Sequence, residues 1–314
     1  FIAMNILIAA NTNFMGPTSV MVYSLCRSHR DIEVDIYLAY HDLRQQDIER
    51  LQKIISHFDQ KKLYLLDVGG EFASKVSKTE QFSYETYYRI LALNMLPQNM
   101  ERILYLDADM LVKKELTEVY ETPMSETCPF AVCDDIKGRV RGGYESSLDR
   151  ACIPHDHQYF NSGFMLMNLN YLRKRNSIGY ILDAFYREHR RYPYPDQDIL
   201  NIMYYDKVQF VPWALYNLLP GLWKVNIESL SRGIIRFASY QEMNNPSINQ
   251  EERFADATIQ IRDNACIIHY MGVISKPWNY RNKPIYSDIA LFAGLWFDCE
   301  KEMYENIEGL EYLP

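Results

Sequence analysis

Two aspartates, Asp107 and Asp109, stand either side of the small Ala108, directly after the apolar run Ile103 to Leu106. A short continuous apolar run ended by polar residues reads as a buried strand of a parallel sheet. Open α/β sheets bind ligands at the carboxyl ends of their strands. If the backbone stays extended past Leu106, both carboxylates point the same way, because strand side chains alternate. Adjacent carboxylates repel and raise each other's pKa unless a cation lies between them. The pair therefore points to a divalent-metal site at a strand end. The alternative is a turn with an Asx cap and two solvated carboxylates.

The segments around the pair supply elements to position it. Met4 to Ala10 is a strand candidate, and Pro17 sits at a helix start, with Val20, Tyr23, Ser24 and Arg27 at helical spacing. Ile32 to Leu38 alternates apolar and acidic residues as a second strand. Leu43 to Phe58 carries an apolar stripe of Leu43, Ile48, Leu51 and Ile55 and reads as a helix. Leu63 to Val68 is a third strand closed by Gly69-Gly70, and residues 83–96 form a helix before Pro97 and the metal strand. This alternation predicts an α/β fold with a doubly wound, mostly parallel sheet. In the second half, Pro129 to Cys133 and Tyr159 to Leu169 read as strands, and 171–190 as a basic helix. Residues 135–158 are polar and read as a surface flap; 220–262 show no assignable pattern. Ala265 to His269 is a short strand and 285–306 a final amphipathic helix. No internal repeat, low-complexity tract or linker interrupts the chain, so one domain is expected.

The chain has 314 residues, 48% of them hydrophobic, and a net charge of −8. That length supports a full-size core. The acidic balance argues against a nucleic-acid binder, which needs a basic face. Twenty-five tyrosines are read mainly as half-buried packing residues with wet hydroxyls. The six cysteines, Cys26, Cys128, Cys133, Cys152, Cys266 and Cys299, include no Cys-x-x-Cys pair and read as free thiols in a reducing compartment. The apolar run near the amino end is too short for a signal peptide or membrane span, and Phe1 to Ala3 ahead of Met4 are read as extraneous. A soluble, cytoplasmic protein is expected.

Four further segments, TYYRILALNMLP (86–97), YFNSGFMLMNL (159–169), YPDQDILN (194–201) and HYMGVISKPW (269–278), join NILIAANTNF (5–14) and ILYLDADMLV (103–112). In content and order these six resemble the retaining glycosyltransferases of family 8, the group of bacterial lipopolysaccharide galactosyl- and glucosyltransferases and of glycogenin. The resemblance covers roughly Met4 to Tyr280. It implies a single Rossmann-like GT-A domain over 4–280 with a mixed, mostly parallel sheet. A nucleotide-binding half would span about 4–134 and an acceptor-binding half about 135–280, with 281–314 a helical extension packed on the domain. It also implies a UDP-sugar donor and a Mn²⁺ ion, with Mg²⁺ as the alternative.

The same resemblance assigns residues. Asp107, Asp109 and His269 would hold the metal; an imidazole beside carboxylates favours manganese or another transition metal over magnesium or calcium. The alternative for His269 is a core histidine bonded to a backbone carbonyl. Gly272 and Lys276 would meet the diphosphate, although three residues separate them where the family pattern has two. The alternative for Lys276 is a solvated side chain after a turn. Arg89 would touch donor sugar and diphosphate; the alternative is a surface pair with Glu85. Ala9, Ala10, Asn11, Asn13 and Phe14 would surround uracil and ribose, with Ala108 beside the donor. Here Asn11 replaces the family's aspartate and Phe14 its tyrosine, so Phe14 can stack on the base but offers no hydroxyl. Asn161 and Asp196 would hold sugar hydroxyls, Gln197 would lie beside the anomeric carbon, and Asp198 would support them. The alternatives are a turn asparagine and acidic residues favoured in a first helical turn.

The implied reaction moves glucose or galactose from a UDP-sugar to a saccharide or glycolipid acceptor with retention. Gln197 is a poor nucleophile, so a same-face displacement is favoured over a double displacement. Competing readings are a haloacid-dehalogenase-type phosphatase, opposed by Met110-Leu111 where Gly-Thr is expected, and a non-catalytic nucleotide-sugar-binding module. A zinc site at His155, Asp156 and His157 lacks a further ligand pair. The acidic carboxyl end, YENIEGLEYLP, predicts at most weak peripheral contact with an anionic membrane.

Overall fold

The computed structural model describes residues 3–70, 85–135, 147–188, 191–220, 261–272, 275–281 and 287–313. The apolar run Met4–Ala9 forms β1 and leads through a 3-10 turn at Thr12–Phe14 into helix α1, Met15–Ser28. Asn11 caps that turn, its side chain accepting from the Phe14 amide at 2.9 Å. Val34–Tyr40 is β2, Gln45–Ser56 is α2 and Lys61–Asp67 is β3. A helix over Glu85–Leu91 precedes β4, Arg102–Leu106.

Seven strands form the main sheet in the order β3-β2-β1-β4-β7-β6-β8, with β6 at Phe130–Asp134, β7 at Phe160–Asn168 and β8 at Gln209–Val211. Only β7 runs against the rest, pairing antiparallel with both β4 and β6. That reversal matters for the site. It lays the start of β7, Asn161 to Gly163, beside the carboxyl end of β4, and the Asp107 amide donates to the Gly163 carbonyl at 2.9 Å.

Helices cover both faces of the sheet. Ile6, Ile8, Val34, Ile36, Leu38, Leu104 and Leu106 pack on one side with α1, α2 and the carboxyl-terminal helix Ser287–Asn306. Leu7, Ala9, Tyr37, Ala39, Ile103 and Tyr105 pack on the other, against the helices Glu85–Leu91, Ser177–Glu188 and Pro195–Tyr204. The near-continuous apolar strands follow from burial on both faces.

A second, two-stranded sheet sets the metal-side geometry. Met110–Val112, β5, pairs antiparallel with Ile267–His269, β9, with Met110 opposite His269. On its other side β9 is bridged by Leu218, whose carbonyl accepts from the His269 amide at 2.8 Å.

Two expectations change. The backbone does not stay extended through the aspartates: β4 ends at Leu106, and Ala108-Asp109 turn into β5. The 171–190 helix is broken into Leu169–Arg173, a 3-10 turn and Ser177–Glu188, because Asn176 takes a left-handed φ of 56°. Much of the expected flap, at 136–146, and the unpatterned stretch 221–260 lie outside the described residues.

Candidate active site

Asp107, Asp109 and His269 converge at the carboxyl end of β4, each offering one ligand atom within 4.8 Å of the others. His269 Nε2 lies 3.1 Å from Asp109 Oδ1 and 3.6 Å from Asp107 Oδ2. The convergence comes from three pairings. β4 ends one residue before Asp107, the turn carries Asp109 into β5, and β9 lays His269 opposite Met110. The Tyr270 amide locks the turn by donating to the Asp109 carbonyl at 2.9 Å.

Each member has partners that fix it. Tyr105 OH donates to Asp107 Oδ1 at 2.6 Å. The Lys276 ammonium sits 2.6 Å from Asp109 Oδ2. Burial opposes the charge on Asp109, but His269 and Lys276 outweigh it and hold the carboxyl well below the usual carboxylate range. The His269 ring is 1% exposed, and its Nδ1 donates to Asn217 Oδ1 at 2.8 Å. Nε2 is thereby directed at the two carboxylates. Two carboxylate oxygens and one imidazole nitrogen are a donor set that suits manganese or a similar divalent ion. A lysine cation already bonded to Asp109 marks the spot as one that demands positive charge. The residues fit a metal.

Gly163 is pressed against this cluster. A Cβ there would fall 2.6 Å from Asp107 Oδ2 and 2.6 Å from His269 Cε1, so no larger residue fits without moving the ligands.

Around the acids lies a buried polar layer. Arg89, 4% exposed, reaches Asp107 Oδ1 at 3.3 Å and Asp196 Oδ2 at 3.4 Å, with its guanidinium 4.3 Å over the Tyr105 ring. Burial works against its charge; the oxygens of Tyr105, Asp107 and Asp196 outweigh it and raise its pKa. This removes the surface-pair alternative for Arg89. Burial raises the Asp196 carboxyl against the pull of Arg89, and Ser162 Oγ donates to it at 3.1 Å. Gln197 Oε1 accepts from Asn161 Nδ2 and from the Ser162 amide, both at 3.0 Å, while its Nε2 donates to Asp135 Oδ2 at 2.9 Å. Pro195 starts the helix that presents both side chains. Asp198, in the same turn, is fully buried with Arg150 at 2.9 Å and Tyr159 OH at 2.7 Å, and anchors the helix.

Lys276 reaches Asp109 despite the longer spacer. Gly272 makes this turn with φ +84°, a conformation that favours glycine; residues 273–274 lie outside the described set. The ammonium is 4.9 Å from the Phe14 ring centroid and 5.2 Å from that of Trp278. One face of Phe14 is therefore covered by Lys276. Ala9 and Ala10 are buried at the end of β1, next to β4, Ala108 is buried in the turn, and Asn13 is exposed. The Asn11 oxygen is engaged by the Phe14 amide.

His155 pairs with Asp149 at 2.6 Å and His157 packs edge-on to Tyr205, so the zinc alternative is not built. Among the described residues only the Asp107, Asp109 and His269 group has the geometry to hold a metal. Sequence reasoning did not single out Tyr105, Ser162, Gly163 or Asn217. The first three lie in segments already marked as functional, a signal that was available. Asn217 lies just before the unpatterned stretch 220–262 and carries none.

The sequence profile of Glycosyl transferase family 8 matches residues 5–282. The lipopolysaccharide 1,2-glucosyltransferase of Escherichia coli is 25% identical over 271 residues, covering 85% of this chain and 70% of that protein. General stress protein A of Bacillus subtilis (strain 168) is 24% identical over 290 residues and covers 91% of each chain. The crystal structure of galactosyltransferase LgtC with donor and acceptor sugar analogues superposes with a TM-score of 0.66 at 19% identity, covering 99% of this chain and 98% of the other. That likeness shows the fold, a GT-A fold. With a family profile running from β1 past the Lys276 loop, the chain belongs to glycosyltransferase family 8, and it is a glycosyltransferase.

Proposed function

We propose that this enzyme transfers glucose or galactose from a UDP-sugar to a saccharide or glycolipid acceptor, with retention, using Mn²⁺ held by Asp107, Asp109 and His269. The observation that carries the reading is the convergence of those three side chains with Lys276 on one strand end. The relatives named as lipopolysaccharide 1,2-glucosyltransferase and lipopolysaccharide 1,3-galactosyltransferase support a hexose donor and a glycan acceptor.

When bound, the ion neutralises the charge that grows on the departing diphosphate. Lys276 leaves Asp109 and pairs with a phosphate, adding a second positive charge at the leaving group. Arg89 clamps the donor between diphosphate and sugar. Asn161 and Asp196 take sugar hydroxyls and orient the ring. Ala9, Ala10, Asn11, Asn13 and Phe14 receive the nucleoside. Gln197 faces the anomeric carbon, and its amide oxygen already accepts from Asn161 Nδ2, the Ser162 amide and Ser162 Oγ, which leaves it a poor nucleophile. That supports a same-face displacement, with the leaving UDP oxygen taking the acceptor proton.

The test is calorimetric titration of UDP, UDP-glucose, UDP-galactose and GDP-mannose with and without Mn²⁺, on wild type and Asp109→Asn. UDP compounds should bind in a metal-dependent way that Asp109→Asn abolishes. Metal-independent or nucleotide-blind binding overturns the reading.

We place the enzyme in the cytoplasm, at most peripheral to the inner membrane face. No described helix is long and apolar enough to cross a membrane. With a net charge of −8, the chain should stay in the supernatant with anionic vesicles at low salt; firm pelleting contradicts this.

A further inference from the structure

We propose that Asn217 is a positioning residue for the metal site: it holds His269 in the ring orientation that metal ligation needs. This rests on the metal reading above.

Asn217 stands 52 residues before His269 in the chain, with a side chain 1% exposed. Its Oδ1 accepts from His269 Nδ1 at 2.8 Å. A side-chain carbonyl oxygen can only accept, so the Nδ1 proton stays on the far side of the ring from the acids. Nε2 is then the nitrogen whose lone pair would face an ion between Asp107 and Asp109. Partners of this kind orient imidazole ligands and raise their basicity.

The backbone builds the contact. Three hydrogen bonds tie the strip Leu215 to Leu218 to β9: the Cys266 amide to the Leu215 carbonyl at 2.7 Å, the Leu218 amide to the Ile267 carbonyl at 3.2 Å, and the His269 amide to the Leu218 carbonyl at 2.8 Å. β5 holds the other edge of β9. The histidine strand is thus clamped on both sides, and Asn217 is delivered by the strip opposite the aspartates.

A second observation separates positioning from packing. Asn217 Nδ2 is buried with no hydrogen-bond partner among the described residues. An orphaned buried donor costs folding free energy. Of the two polar atoms of the amide, the oxygen is the one engaged, and its partner is His269.

The experiment measures Mn²⁺ binding by loss of the free-ion electron paramagnetic resonance signal, at saturating UDP, on the full chain. Asn217→Leu and Asn217→Ala remove the acceptor and should raise the Mn²⁺ Kd about 10- to 100-fold. Asn217→Asp restores an acceptor and should bind Mn²⁺ within about threefold of wild type. Far-UV circular dichroism in EDTA, measured in parallel, should match wild type in all three variants. Wild-type affinity in Asn217→Leu or Asn217→Ala overturns the proposal. So does a loss of more than tenfold in Asn217→Asp, the variant that keeps shape and acceptor and remains informative if the others fail to fold. Wild type that binds no Mn²⁺ sinks the metal reading itself, a result distinct from a wild type that binds and variants that match it.

Discussion

Gly163 and Lys276 show how little slack the metal end of the site has. The ideal Cβ of an alanine at 163 overlaps Asp107 and His269, both held by their own hydrogen bonds. Gly163→Ala should lower UDP-sugar turnover roughly 100-fold at saturating Mn²⁺, the scale of a misplacement near 1 Å. Its circular dichroism spectrum should match wild type, and turnover near wild type would show that the ligands can retreat. Lys276 makes two opposed contributions. Its ammonium occupies Asp109 in the absence of nucleotide and would serve a phosphate in its presence. Lys276→Met keeps the stem between Phe14 and Trp278 but removes the charge. It should raise the UDP Kd about tenfold, the order of one charge-assisted hydrogen bond, while Mn²⁺ alone binds more tightly. Calorimetry with Mn²⁺ alone, and with UDP at saturating Mn²⁺, reads the two signs.

Elements are pinned by single polar groups in several places, and His29 is one that titrates. At the end of α1 its Nδ1 lies 2.8 Å from the Leu25 carbonyl, and its Nε2 accepts from the Leu116 amide at 2.9 Å, joining α1 to the chain that follows β5. Burial lowers its pKa from 6.5 to about 4. The folded value is depressed, so the neutral ring's contribution is fully present above the unfolded pKa and is lost as pH falls toward the folded one. Urea unfolding should therefore lose about 3 kcal/mol between pH 6.5 and 4. His29→Gln should flatten that slope. An equal slope in the variant would place the titration elsewhere.

The whole molecule joins its carboxyl-terminal helix to the site through aromatic rings. Trp296, 1% exposed on that helix, packs 5.3 Å from Trp278, and Trp278 meets Phe14 at 5.5 Å and Lys276 at 5.2 Å. Tyr23 and Arg27 on α1 bond to Glu302 on the same helix, and Arg281 to Glu300. The helix lies beyond the family match, which ends at residue 282, yet it completes one face of the core. Trp296→Ala should cost about 3–5 kcal/mol in a single cooperative urea transition and raise the donor KM. A separate early transition would mean that the helix unfolds as its own unit.

Much was legible in the chain before folding. The alternation of apolar strands with amphipathic helices specified a doubly wound sheet, since burial on both faces leaves a local imprint on the central strands. The acidic pair pointed to a cation by its own chemistry, whereas Arg89, the Asp196-Gln197 turn and His269 were marked only by the resemblance of their segments to family 8. Folding supplied the relations between distant segments. The aspartates converge through a turn rather than along a strand, and β7 runs backwards, which brings Asn161 and Gly163 to Asp107. Asp198 turns to Arg150 as an anchor, and Asn217 meets His269 across a strand pairing. None of these has a local signature. Side-chain periodicity reports which face a residue is on, whereas the register and direction of strands far apart in the chain are set only when the whole core packs.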